Sequence, residues 1–186
     1  MVKNIEEEGG SASGYLVNAI EENVLEELII SIEKDHGPIE VLVYNLGAQS
    51  GMKLLHETSI KEFEWAWRIA DLGLFRVAKT LMPLMEQRGS GTLLVTSATA
   101  AMRGNKNQHS HATAMGGRRM LCQSLNAEFA PKGIHVAHIV IEIPEHNNPI
   151  RLFFWQDLVC QPVGMARIMI VCRTTNMKGV KCDWNT

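Results

Sequence analysis

The chain has 186 residues, of which 46% are hydrophobic, and it carries 18 Lys and Arg against 20 Asp and Glu. This length suits a single domain with a buried core of ordinary size. The net charge of −2 comes without any cluster of basic residues. The composition therefore excludes a surface that binds nucleic acid or an anionic membrane through charge.

Two further classes are excluded by the apolar stretches and the cysteines. No stretch reaches the roughly 18 consecutive apolar residues that a membrane span requires, and residues 1–14 lack the apolar centre of a signal peptide, so we expect a cytoplasmic protein. The cysteines show no paired spacing, which predicts reduced thiols without a disulfide framework or a metal site. They are Cys122, Cys160, Cys172 and Cys182.

The first third of the chain predicts a lead-in, a helix and a strand. Residues 1–14 are polar and rich in Gly and Ser, which is typical of a flexible lead-in. Apolar residues then recur at helical spacing from Ile20 to Ile32, and Gly37 and Pro38 end the pattern. The apolar run at 39–44 predicts a buried strand of a parallel sheet.

The middle of the chain repeats this alternation of helix and strand. The spacing of Ser59 and Glu62 predicts a capping box, and hence a helix over about 60–87. A strand at 92–96, a helix at 109–130 and a strand at 134–141 are predicted next. Such alternation favours a doubly wound parallel α/β sheet. From 142 to 186 the pattern weakens, and two apolar segments at 152–155 and 168–171 can pack in a way that the sequence does not specify.

Three segments resemble the short-chain dehydrogenase/reductase family. The run from Gly37 to Ala48 is similar to the family's Gly-x-Ile/Leu-Asp-x-Leu-Val-Asn-Asn-Ala-Gly segment, and Thr80 to Met85 matches its Leu-Met-Pro-x-Met helix end. Residues 91–136 match the strand, the Tyr-x-x-x-Lys helix and the Pro-x-Gly strand entry that follow. The resemblance covers about 15–141 and implies a Rossmann-like domain there, with 142–186 as a divergent tail.

The same resemblance implies an incomplete fold. The family's first βαβ unit carries the Gly-rich turn that cradles the pyrophosphate of NAD or NADP, and the chain is expected to begin after it. The Gly-rich stretch at 9–14 has the wrong spacing for that turn. By family position Asn18, Asn45 and Gly47 are the residues that would touch a cofactor. We expect the chain to bind no cofactor. If the protein is active, the resemblance implies NAD or NADP.

The catalytic positions implied by the resemblance have lost their functional groups. The Tyr position holds His111, the Lys position Met115, the Ser position Ala98 and the Asn position Ala70. Ser97 and Thr99 flank the lost Ser position and could place a hydroxyl near it, and Asp71 is predicted to be a solvated or capping carboxylate. His111 is a candidate proton donor, because a free imidazole has a pKa near ~6.5. The alternative is that His111 is only a polar residue at the start of the helix.

Three functions remain open from the sequence. The first is a member of the family without dehydrogenase or reductase activity that associates with a related subunit, because the family's four-helix dimer interface corresponds to helices 60–87 and 109–130. Its apolar contacts are predicted to be Trp65, Trp67, Phe75, Met120 and Leu121. The second is a weak NAD(P)-dependent oxidoreductase that uses His111, and the third is a truncated product that folds poorly. Neither nucleic acid nor membrane is an expected partner.

Overall fold

The computed structural model describes residues 2–7, 9–47, 53–142, 151–155 and 169–171. In these ranges five strands form one sheet in the order β4-β3-β2-β1-β5. The central strands β1 (Val41–Tyr44), β2 (Gly91–Ala98) and β3 (Ile134–Glu142) are parallel. The predicted α/β class with an incomplete, Rossmann-like parallel sheet is confirmed.

Two antiparallel strands lie at the edges of this parallel core. β4 (Arg151–Trp155) pairs with β3, and β5 (Met169–Val171) pairs with β1. Because the chain is expected to begin after the family's first βαβ unit, the strand at 39–44 is expected to lack its usual neighbour and to leave a bare edge. The edge is not bare, since β5 pairs there in the antiparallel direction. Both edge strands come from the two apolar segments of the 142–186 tail.

Residues with positive φ lie on both sides of helix α2 (Val24–Asp35). Asn23, before its first turn, has φ of 65°, and Gly37 after its last turn has φ of 93°. Glycine adopts such a conformation at little cost, so Gly37 reverses the chain and directs it toward β1. Leu25, Ile29 and Ile32 lie on the buried face of the helix, as their spacing predicts.

The predicted helix over 60–87 is present, but one turn inside it is wider than the rest. Ser59 caps α3 (Ile60–Trp67) by accepting a hydrogen bond from the Glu62 amide, so the predicted capping box is confirmed. A π-helical turn at Arg68–Leu72 follows, and α4 (Gly73–Arg88) continues the helix. Such turns insert one extra residue per turn and are frequent at functional sites.

The core lies between the sheet and three helices that pack on the same face of it. α5 (His109–Phe129) joins β2 to β3, and α4 packs against both α2 and α5. The strand residues that face these helices alternate along each strand, as the pleat requires. They are Leu42, Tyr44, Leu93, Val95, Ile134 and Val136.

The first residues of the chain contain a short helix where the sequence predicts a lead-in without regular structure. This helix, α1, spans Val2–Glu7, and Gly9 with φ of 83° follows it. In the ranges that the structure describes, no helix has both the length and the apolar composition needed to cross a bilayer.

Candidate functional site

The candidate site lies where β2 ends and α5 begins. Ser97 is 7% exposed, and its hydroxyl donates to the thioether of Met115 at 3.5 Å. A thioether is a weak acceptor without charge, so it cannot lower the pKa of a neighbouring acid as the family's Lys would. The structure thus brings Ser97 and the residue at the Lys position together, in a contact that supplies neither a proton donor nor a cation.

Apolar side chains fill the remaining catalytic positions. Met115 is 3% exposed and Ala70 is fully buried, and both belong to one cluster with small residues of the neighbouring elements. Ala98 packs against this cluster from the end of β2, while His111 lies half-buried in the first turns of α5. The other cluster members are Ala66, Ile69, Ala100, Ala101 and Ala114. The site is therefore packed with hydrocarbon rather than lined with titratable groups.

The residues of the predicted cofactor set lie in two separate places. Asn45 follows β1, and its side-chain oxygen accepts a hydrogen bond from the Thr96 hydroxyl. Gly47 follows it in the chain and is exposed. Asn18 is exposed, and its side chain bonds to Glu21 and to the amide of Ile20 in its own turn. Asn18 and Asn45 thus each have a structural role in the local backbone.

Asp71 corrects a prediction, because it is neither solvated nor a cap. It lies in the π-helical turn with 7% of its surface exposed, and Oδ2 is buried without a hydrogen-bond partner. Burial raises the pKa of this carboxyl to about 6, although the positive charge of Arg118 acts to lower it. The carboxylate fits because the facing residue is Gly117, whose missing side chain leaves the space that Asp71 fills.

Arg118 is a buried charged residue beside the site that the sequence interpretation missed. It is 2% exposed, and its guanidinium donates to three backbone carbonyls: that of Ala70 at 3.3 Å, Thr96 at 2.8 Å and Leu46 at 2.8 Å. The same group lies 5.3 Å from the centre of the Tyr44 ring. One cation therefore ties together the π-helical turn, β2 and the segment after β1.

A signal for Arg118 was present in the spacing of α5. Ala114, Arg118 and Cys122 recur every four residues, so the arginine lies on the buried face of the helix. A charge on an apolar face indicates a buried polar contact. The sequence interpretation treated it only as part of a short basic pair with Arg119.

Tyr44 completes this buried polar group from the sheet side. Its ring is fully buried, and its hydroxyl donates to the carbonyl of Ile69 at 2.5 Å. Burial raises the pKa of this phenol above its usual range, so Tyr44 stays protonated at neutral pH. Gly73 gives the hydroxyl room, since a side chain there would collide with it.

The glycines near the start of the chain do not form a phosphate cradle. The amide of Gly9 donates to Glu6 at 3.0 Å and that of Gly10 to Ile5 at 2.8 Å, so both amides close α1. A cradle requires free amides between a strand and a helix, whereas these glycines follow a helix. No group of three or more His, Cys, Asp or Glu that could hold a metal occurs among the residues described.

The fold defines an α/β protein with a partial, Rossmann-like parallel sheet, and comparison with known proteins gives its family. The family model described as short chain dehydrogenase matches residues 1–143. The chain belongs to the short-chain dehydrogenase family.

Curated relatives share 24–29% of the aligned residues. The chain is 29% identical over 135 residues to 2-dehydro-3-deoxy-D-gluconate 5-dehydrogenase of Formosa agariphila, which covers 73% of this chain and 51% of the relative. It is 24% identical over 134 residues to 2,3-dihydro-2,3-dihydroxybenzoate dehydrogenase of Bacillus subtilis, covering 72% and 51%. The chain thus spans about half the length of the curated relatives that it matches.

Solved structures match the same part of the chain. A short-chain dehydrogenase from Rhodopseudomonas palustris superposes with a TM-score of 0.73 at 31% identity, covering 77% of this chain and 66% of that one. A gluconate 5-dehydrogenase from Burkholderia cenocepacia in complex with NADP and tartrate gives 0.69 at 23% identity, covering 74% and 53%. The second likeness shows the fold alone.

The described residues do not fit the dinucleotide that this family implies. The amides of Gly9 and Gly10 are bonded within α1, and Met115 has no charge with which to hold a ribose. Asn45 already accepts a hydrogen bond from Thr96. No catalytic step through a nicotinamide is therefore derived for these residues.

Proposed function

We propose that this chain is a family member without dehydrogenase or reductase activity, and that it acts by associating with a second subunit. The observation that carries the proposal is the contact of the Ser97 hydroxyl with the buried thioether of Met115. The family's reaction needs a proton donor whose pKa is lowered by a nearby cation. A thioether at that position supplies no cation, and the surrounding alanines exclude water that could replace it.

The surface of the two long helices supports association. Four of the five predicted contacts are more than a third exposed: Trp65 at 38%, Trp67 at 45%, Phe75 at 48% and Met120 at 51%. Aromatic residues and Met are enriched in the centres of protein interfaces. Leu121, the fifth predicted contact, is half-buried and packs against the chain's own core. The proposed partner is a second copy of the chain or a related short-chain dehydrogenase subunit.

Cofactor binding tests the first half of this proposal. We expect that millimolar NADH or NADPH leaves the thermal unfolding midpoint of the purified chain unchanged, because a ligand that binds only the folded state must raise it. An upward shift that disappears in His111→Ala would overturn the proposal in favour of a weak NAD(P)-dependent oxidoreductase. A chain that shows no cooperative transition, alone or with a partner, would overturn it in favour of a poorly folding product.

Sedimentation tests the second half. We expect the chain to sediment as a dimer, alone or after mixing with a full-length relative, and the double variant Phe75→Glu/Met120→Glu to weaken the dimer at least about tenfold, since burying such side chains is worth about 1.5–3 kcal/mol each. Ile30→Glu is the matched control, because Ile30 is 56% exposed and belongs to α2, which is neither of the two long helices. A monomer under every condition, or equal weakening by the control, would contradict the proposal.

A further inference from the structure

A second cleft lies apart from the candidate site, between the outer side of α5 and β3. It has a volume of about 160 Å³. The helix residues that line it recur at helical spacing, so one face of α5 forms its wall. They are Arg119, Cys122, Gln123, Asn126 and Ala127, and Val136 and His138 form its floor on β3. The candidate site, by contrast, uses the first turns of α5.

His138 is the residue that marks this cleft as a site. It is 7% exposed, and its Nε2 atom is buried without a hydrogen-bond partner. A buried imidazole nitrogen without a partner loses the hydrogen bonds that it would have in water. A ligand atom in the cleft would restore one of them. The neighbouring side chains of Gln123 and Asn126 offer amide donors on the same face of α5.

The charges around His138 determine which ligand fits. Burial lowers the pKa of its imidazole to about 4, and the positive charges of Arg118 and Arg119 act in the same direction. The imidazole is therefore neutral at pH 7 and can carry its proton on Nε2. Among the described residues that line the cleft, Arg119 is the charged side chain and the polar ones are His138, Gln123 and Asn126. These described side chains can all donate hydrogen bonds.

We propose that this cleft binds a small oxyanion, either a phosphate group or the carboxylate of a small acid. Arg119 would supply the charge, and His138, Gln123 and Asn126 would donate hydrogen bonds, since charge-assisted bonds to oxyanions are the strong ones. A volume of this order holds about five waters or one molecule of the size of benzene, which suits such a group. The inference does not depend on the proposed association of subunits.

The test follows the NMR signals of the imidazole side chains in the full chain. Inorganic phosphate is titrated at constant ionic strength and pH 6.5, with chloride as the balancing ion and acetate in a parallel series. We expect a saturable shift of the His138 signal at pH 6.5. In pH titrations with and without phosphate, we expect its pKa to rise by about one unit, because a bound anion favours the protonated imidazole. His135 is the internal reference, since it faces the opposite side of β3. If phosphate binds more tightly than acetate, the cleft is assigned to a phosphate group, and the reverse order assigns it to a carboxylate.

Matched arginine variants make the test specific. Arg119→Gln is expected to weaken the saturable shift about tenfold, as loss of one charge-assisted contact requires, while Arg103→Gln in the exposed loop after β2 leaves it unchanged. If Arg119→Gln does not unfold cooperatively, Gln123→Ala takes its place in the comparison with Arg103→Gln. A His138 shift that rises linearly with phosphate, or one that is equal in both arginine variants, would overturn the proposal.

Discussion

At the scale of single residues, the unusual feature is a pair of opposite charges inside the fold. Asp71 and Arg118 are both more than nine-tenths buried, but the arginine has three carbonyl partners while one carboxylate oxygen has none. A buried carboxylate without full hydrogen bonding destabilises the native state when it is ionised. Burial raises the pKa of Asp71 from 3.8 to about 6, so the carboxyl is ionised at pH 7.5.

The first prediction follows from the direction of this shift. Because the folded protein binds the Asp71 proton more tightly than the unfolded chain, the contribution of Asp71 to the free energy of unfolding rises as pH falls from about 7 to about 4, by about 3 kcal/mol at most. Asp71→Asn should therefore stabilise the protein by about 1–2 kcal/mol at pH 7.5 and lose this advantage at pH 5. Urea unfolding of both proteins at the two pH values measures the difference.

His138 also changes the pH dependence of the free energy of unfolding, so the effect of Asp71 must be measured by comparing the native protein with the Asp71→Asn variant. Its pKa is lowered to about 4, so the unfolded chain takes up that proton first, and the free energy of unfolding falls as pH drops below about 6.5. The two residues act in opposite directions in the same range of pH. Since His138 is present in both proteins, its contribution cancels. An Asp71→Asn effect that is the same at pH 7.5 and pH 5 would contradict the assigned shift.

At the scale of elements, α5 is a long helix whose two adjacent glycines have different surroundings. A side chain at Gly116 would meet nothing within 4 Å, whereas one at Gly117 would collide with the Asp71 carboxylate of the π-helical turn. Glycine inside a helix costs roughly 1 kcal/mol relative to alanine. Gly116 therefore weakens the helix without packing benefit, and Gly117 permits the contact between α5 and the turn.

The second prediction uses these neighbours as a matched pair. Gly116→Ala should stabilise the protein by up to about 1 kcal/mol, and Gly117→Ala should destabilise it by about 1–3 kcal/mol, because overpacking forces side chains or backbone to shift. Thermal or urea unfolding measures both. In an Asp71→Ala background the two substitutions should become similar. Equal effects of Gly116→Ala and Gly117→Ala in the native sequence would show that the turn and α5 are not in close contact.

At the scale of the whole molecule, the 142–186 tail supplies both edges of the sheet. β4 covers β3 and β5 covers β1, and both run antiparallel to the parallel core. Unpaired edge strands present rows of free backbone groups that can pair with other chains. The pairing of both edges protects the core strands from such contacts.

The third prediction concerns removal of these edge strands. A chain ending at residue 142 should aggregate at micromolar concentration, because β1 and β3 both become exposed edges. A chain ending at residue 171 keeps β4 and β5 and should remain soluble under the same conditions. Light scattering during refolding distinguishes the two. Equal solubility would mean that the edge strands do not protect the core.

The sequence predicted the regular elements well because their signals are local. The capping box at Ser59, the end of α2 before Gly37 and the strand at 134–141 each depend on residues close in the chain, and each lies within two residues of the predicted position. Family resemblance added the order of the elements. The parallel core could therefore be predicted before any coordinates were known.

What the sequence did not predict depends on partners far away in the chain. β5 pairs with β1 across more than 120 residues, and no local pattern specifies that partner. Asp71 was interpreted as a solvated or capping carboxylate and Arg118 was given no role, because only the assembled helices show that both lie inside. The residues at the positions implied by the family resemblance could be read from the sequence, but their packing with alanines could not. Long-range contacts, rather than local preference, determine these features.

The three bonds of Arg118 also limit how this chain could be converted into a hydride-transferring enzyme. Restoring Tyr at 111 and Lys at 115 would place a second cation one helical turn from a buried guanidinium that cannot lose its proton. Repulsion between them would push the new ammonium to release its proton or force α5 out of place. Re-engineering would thus have to begin with an uncharged residue at 118 and a new way to bond the carbonyls of Leu46, Ala70 and Thr96. The residues at positions 111, 115 and 118 would have to be exchanged together.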